Sequence, residues 1–89
     1  MERAHRYVPP PRRLPAFPDA IPVKPKTPVQ GGGGLRPRWR DAKGRIYEWD
    51  KRHGTVEVYD KTGKRRRGEF DPASGKRVGR ADPRRRVEP

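Results

Sequence analysis

Asp50, His53 and Glu57 lie in one short stretch, Ile46-Tyr47-Glu48-Trp49-Asp50-Lys51-Arg52-His53-Gly54-Thr55-Val56-Glu57-Val58-Tyr59. Carboxylates and an imidazole are the side chains that move protons near neutral pH. The chain around them carries a formal net charge of +13, which suits it to a polyanion. RNA is the polyanion whose cleavage needs no more than this. A base takes the 2′-OH proton, an acid protonates the departing oxygen, and a cation meets the phosphorane charge between them.

For these groups to act together the backbone must hold them on one surface. Residues 45–50 and 55–60 alternate in the manner of strands, and the turn between them makes a β-hairpin. Alternate residues share a face, so His53, Thr55, Glu57 and Tyr59 are expected on one side and Val56 and Val58 on the other. At ~3.3 Å per residue the Cα atoms of His53 and Glu57 stand about 13 Å apart, a gap that leaning side chains narrow around a phosphate. Asp50 ends the first strand, and the turn through Lys51 and Arg52 brings it beside His53. A carboxylate there fixes the imidazole tautomer and raises its pKa.

The remaining elements continue the pattern. Residues 60–63 and 71–75 read as turns, with Gly63 at positive φ, and residues 64–70 and 76–80 as further strands of an antiparallel meander. No segment sustains a 3.6-residue apolar period. The fold class is therefore mainly β: a small, highly twisted antiparallel sheet preceded by an extended arm with at most a short helix. Eight of the twelve prolines precede residue 30 and four glycines follow at 31–34. Proline stiffens and glycine loosens, so residues 1–34 are expected as a proline/glycine-rich linker arm and residues 35–89 as the folded domain, with Phe17 and Ile21 able to dock. The glycines lack the Lys-Ser/Thr ending and following helix of a phosphate-cradling loop.

Composition sets the limits. With 89 residues, 28% hydrophobic and 39% charged, there is material for one small domain with a thin core. An acidic partner would stabilise such a fold by linkage. Cysteine is absent, which removes disulfides and thiolate metal sites, and His5 and His53 are too distant in sequence to form a ligand cluster; no metal and no cofactor are expected. No apolar run is long enough for a signal segment or a membrane span. Trp39, Tyr47, Trp49 and Phe70 read as core, while Tyr59, on the polar face, is the aromatic best placed to stack on a base. Arg65, Arg66 and Arg67, and again Arg84, Arg85 and Arg86, are the clustered guanidinium groups of a nucleic-acid-binding surface.

Charge alone fits two functions, an RNA-cleaving enzyme and a non-catalytic RNA-binding module associated with the ribosome. The acidic residues separate them. Asp50 and Glu57 weaken phosphate attraction and have a reason to flank a histidine only where chemistry uses them.

The run Lys43-Gly44-Arg45-Ile46-Tyr47-Glu48-Trp49-Asp50, then His53-Gly54, Glu57, Tyr59, Phe70-Asp71-Pro72, Gly75 and Asp82-Pro83-Arg84-Arg85, resembles the cytotoxic ribonuclease domain of the ribosome-inactivating colicins. The likeness extends over residues 27–86, and similar modules end other bacteriocins and contact-dependent toxins. It implies a twisted antiparallel sheet that enters the ribosome and cuts small-subunit ribosomal RNA at the decoding site without a metal. Carried onto matching positions, it makes Glu57 the general base and His53 the general acid, labels that are open to exchange. Asp50 would support His53, Arg85 would stabilise the phosphorane, and Tyr47 and Tyr59 would shape the site or stack bases. Arg84 would help hold the RNA. The resemblance further implies an acidic immunity protein as inhibitor. It also implies a place at the C-terminus of a longer toxin, delivered from outside and active in the cytoplasm of the target bacterium. Two positions depart from the family pattern. Gly79 falls near a lysine of the family, which leaves Arg80 to substitute for it, and the turn over residues 63–68 is unusually basic and reads as one residue longer.

Overall fold

The computed structural model describes residues 7–89, so His5 lies outside the described residues. Six strands form one sheet: β1 Ile21–Val23, β2 Arg38–Arg40, β3 Ile46–Asp50, β4 Thr55–Tyr59, β5 Arg66–Phe70 and β6 Arg77–Gly79. Every neighbouring pair is antiparallel and the spatial order is the chain order, so the sheet is an open meander. Among the described residues there is no helix, and hence none long and apolar enough to cross a membrane. The mainly β expectation holds, with strands at 46–50 and 55–59 inside the expected hairpin.

Register divides the chemistry between two faces. Tyr47 pairs with Val58 and Trp49 with Val56, which puts these four on one face; Glu48 pairs with Glu57, Ile46 with Tyr59 and Asp50 with Thr55 on the other. The first face is the core. Trp39, Tyr47, Trp49, Val56 and Val58 are buried there beneath Leu14 and Ala20, with Phe17 and Phe70 packed against them. Each large apolar side chain so buried contributes roughly 1.5–3 kcal/mol.

A third of this core, Leu14, Phe17 and Ala20, comes from the stretch expected as a linker arm. Leu14 and Ala20 are fully buried, Phe17 lies 5.0 Å from the Tyr47 ring centroid, and β1 pairs with β2. Buried indoles need acceptors, and a proline-rich segment has carbonyls to spare because it lacks donors. Trp39 Nε1 donates to the Arg12 carbonyl at 3.0 Å and Trp49 Nε1 to the Val8 carbonyl at 2.9 Å. Residues 31–34 are likewise no free swivel: Val29 N–H donates to the Gly34 carbonyl at 2.8 Å and Arg36 N–H to the Thr27 carbonyl at 2.8 Å, closing a loop whose four glycines all have positive φ.

On the second face the register creates a problem of charge. Glu48, Glu57 and Glu69 are cross-strand neighbours on β3, β4 and β5, and like charges so placed repel. Arginines from several elements offset this. Arg38, opposite Glu48 on β2, donates through Nε (3.1 Å) and Nη2 (2.6 Å) to Glu48 Oε2, where the Thr27 hydroxyl also donates at 2.5 Å. A bulge at Val58/Tyr59 then sets Arg66, not Arg67, opposite Tyr59, so Arg66 joins this face while Arg67 stays exposed.

Candidate active site

The second face opens into a cleft of about 820 Å³, within the size range of ligand sites. Asp50, His53, Glu57, Arg66, Glu69 and Arg85 all line it, and residues 7–10 of the arm and the glycine loop form further parts of its wall. Central β4 presents Glu57 because its side chain alternates away from Val56 and Val58. That carboxylate is nearly buried yet surrounded by donors. Arg85 Nη2 reaches Oε1 at 2.9 Å, Tyr59 donates its hydroxyl to Oε1 at 3.0 Å, and Arg36 Nη1 reaches Oε2 at 3.3 Å. Arg66 Nε stands 3.6 Å from Oε1, is buried, and makes no hydrogen bond.

His53 sits in the β3–β4 turn with its side chain 66% exposed. Asp50 organises the turn: its Oδ1 accepts from the backbone N–H groups of Arg52 (2.9 Å) and His53 (3.3 Å), and its Oδ2 lies 2.7 Å from His53 Nδ1. The hydrogen bond to Asp50, and then its negative charge, raise the imidazole above its ordinary pKa. Burial pushes Asp50 upward, but the bonds from the imidazole and the two backbone N–H groups outweigh it and leave the carboxylate below its ordinary value. Burial, followed by the charge of Glu57, pushes the Tyr59 hydroxyl up to about 12, so Tyr59 serves as a donor and not as a base.

Of the residues expected at the site, the structure brings Asp50, His53, Glu57 and Arg85 to one cleft, with Tyr59 beneath Glu57. Tyr59 is 1% exposed and offers no face for stacking. Tyr47 is on the opposite face, in the core, donating to Asp41 Oδ2 at 2.8 Å; strand parity puts it with Val58 and away from Glu57. Arg80 is exposed and does not line the cleft, although its carbonyl accepts from Arg66 at 3.3 Å. Arg84 is also outside the cleft, 89% exposed and paired with Asp82 at 3.3 Å.

Arg36 and Glu69 belong to no motif in the sequence, and Arg66 stands out there only as part of the basic cluster Arg65-Arg66-Arg67. Arg36 arrives from the segment before β2, Arg66 through the β5 bulge, and Glu69 through cross-strand pairing with Glu57. The only signal for Glu69 is its place in β5, whose register depends on that bulge. Glu69 Oε2 accepts from the Thr55 hydroxyl and lies 3.8 Å from His53 Nδ1. Asp50, His53 and Glu69 thereby offer ligand atoms within 4.8 Å of one another, a set able to hold a divalent cation that the spacing of the two histidines did not suggest.

The cleft on this open antiparallel sheet is basic and holds a central carboxylate beside a His–Asp pair. The family described as Cytotoxic matches residues 8–88, and the chain belongs to that family, the cytotoxic domain of the colicins. It is 52% identical to cloacin over 66 residues, 42% identical to colicin E3 over 87 residues and 48% identical to colicin-E6 over 66 residues, all from Escherichia coli. These alignments cover 73%, 94% and 73% of this chain but 12%, 16% and 12% of the relatives, so the chain spans a small part of their length.

Proposed function

We propose that this domain is a toxin endoribonuclease that cuts small-subunit ribosomal RNA at the decoding site of the ribosome and so halts translation. The observation that carries the reading is the pairing of functions in one cleft: Glu57, held among Arg36, Arg85 and Tyr59, together with His53 aligned by Asp50. Glu57 takes the 2′-OH proton, and the 2′ oxygen attacks the adjacent phosphorus. Arg85, with Arg66 behind it, meets the charge on the phosphorane. His53 protonates the departing 5′ oxygen, leaving a 2′,3′-cyclic phosphate and a 5′-hydroxyl. Acid, base and cation are all side chains of this protein, so the sequence of steps needs no metal.

The same reading makes the chain the C-terminal module of a larger toxin, delivered from outside and acting in the cytoplasm of a target bacterium. Its net charge of +13 suits two partners, the ribosome and an acidic immunity protein that blocks the cleft. The second reading, a non-catalytic ribosome-associated RNA-binding module, is favoured only by the charge.

Purified ribosomes incubated with the protein in a chelator distinguish these. The expected result is one discrete small-subunit fragment ending in a cyclic phosphate, with duplex DNA intact. Bound ribosomes with intact RNA would support the binding module. Cleavage lost in chelator and restored by magnesium would assign the Asp50, His53 and Glu69 set to a metal.

A further inference from the structure

His53 is the most exposed member of the site, and a single hydrogen bond to Asp50 leaves an imidazole free to swing about its χ angles. A second carboxylate stands on the same side of the ring. Glu69 Oε2, 3.8 Å from Nδ1, is itself fixed from two directions: the Thr55 hydroxyl donates to Oε2, and Arg66 Nη2 lies 3.6 Å from Oε1. Glu69 is therefore no solvated surface group. Its side chain is 18% exposed and is held by residues of β4 and β5.

We propose that Glu69 is a positioning residue for His53: it shares the Nδ1 side of the imidazole with Asp50, keeps the ring in its proton-bearing orientation, and leaves Nε2 on the opposite edge for the substrate. The inference rests on the reading of His53 as the group that exchanges a proton with RNA. It also gives the like-charge ladder of β3, β4 and β5 a use, because Glu57 and Glu69 are divided between the two halves of the chemistry.

The charges around the imidazole are few. Asp50 at the end of β3 and Glu69 on β5 favour its charged form, and Arg52 in its own turn opposes it. Arg66 is turned toward Glu69 and Glu57, and Arg36 and Arg85 toward Glu57. Lys51 in the same turn lies over the Tyr7 ring, 4.3 Å from its centroid. Glu69 is thus the nearest carboxylate after Asp50 and the one able to replace it.

Glu69→Gln keeps the shape and the Thr55 contact and removes the charge. The His53 titration, followed by NMR in the native protein, Glu69→Gln, Asp50→Asn and the double variant, reads the claim without any need for cleavage. We expect Glu69→Gln to move the midpoint down, and to move it further when Asp50 is already Asn. Single-turnover cleavage at saturating ribosome should fall about 2- to 10-fold in Glu69→Gln, with ribosome affinity unchanged. Thr55→Val, which releases Glu69 without touching its charge, should give a smaller change in the same direction. A midpoint unmoved by Glu69→Gln in both backgrounds overturns the proposal. A lowered midpoint in a protein that leaves RNA uncut upholds the contact and instead refutes the assigned reaction.

Discussion

Arg85 and Glu57 are bound to each other at 2.9 Å across 28 residues of sequence, the guanidinium of the C-terminal tail resting on the carboxylate at the centre of the sheet. The contact holds the guanidinium beside the carboxylate, where it can meet a phosphate that Glu57 approaches. Arg85→Ala is expected to slow single-turnover cleavage by about 10²-fold or more, the loss of one preorganised donor to the phosphorane. Arg86→Ala should mainly weaken salt-sensitive binding. Equal, small effects that vanish at saturating ribosome would make Arg85 an ordinary phosphate contact.

How Arg85 gets there is a matter of the tail. Val87 N–H donates to the Gly63 carbonyl at 2.7 Å, and Lys26 Nζ donates to the Pro89 carbonyl at 2.5 Å. Gly63 has φ +74°, and a Cβ there would stand 2.1 Å from the Val87 carbonyl oxygen. Gly63→Ala should therefore lift the tail, reducing cleavage toward the Arg85→Ala level while the sheet's circular dichroism is kept. Unchanged cleavage would show that the tail reseats.

The Asp50–His53 pair fixes the direction of the pH profile. Asp50 raises the imidazole pKa above the ordinary value of about 6.5. If His53 is the acid it must carry the proton, so the rate falls as pH rises through that elevated value, and Asp50→Asn moves this limb to lower pH. A rate that instead rises through the same pKa would exchange the labels, making His53 the base. The profile of cleavage against pH in the two proteins decides it.

Leu14 tests the role of the arm. Leu14→Ala removes a fully buried side chain and is expected to cost about 2–5 kcal/mol in urea unfolding. A fragment beginning at residue 35 loses β1, Leu14, Phe17, Ala20 and the carbonyls that accept from Trp39 and Trp49, and should show no cooperative transition. A fragment that unfolds cooperatively would restore the arm to a spacer.

The hairpin was legible because period-two alternation separates Val56 and Val58 from Glu57 and Tyr59, and Gly63 and Gly75 end their turns at positive φ as their neighbours suggest. Asp50 beside His53 was legible because three residues and a turn leave little freedom. The arm was not, since a proline-rich segment has no periodicity and its contribution, free carbonyls and single buried residues, appears only once indoles need partners. Tyr47 is a site residue only by the resemblance, and its pairing with Val58 puts it on the core face. Glu69, Arg66 and Arg36 depend on a bulge and on long-range pairing, neither of which local pattern specifies.

Glu57 and His53 are proposed to exchange protons with RNA. Single-turnover cleavage of ribosomal RNA in intact ribosomes, at saturating ribosome, measures this directly for Glu57→Gln and His53→Ala. Each variant should bind ribosomes as the native domain does and lose on the order of 10² to 10⁴ in rate. Near-native cleavage by either one would contradict the role given to that residue.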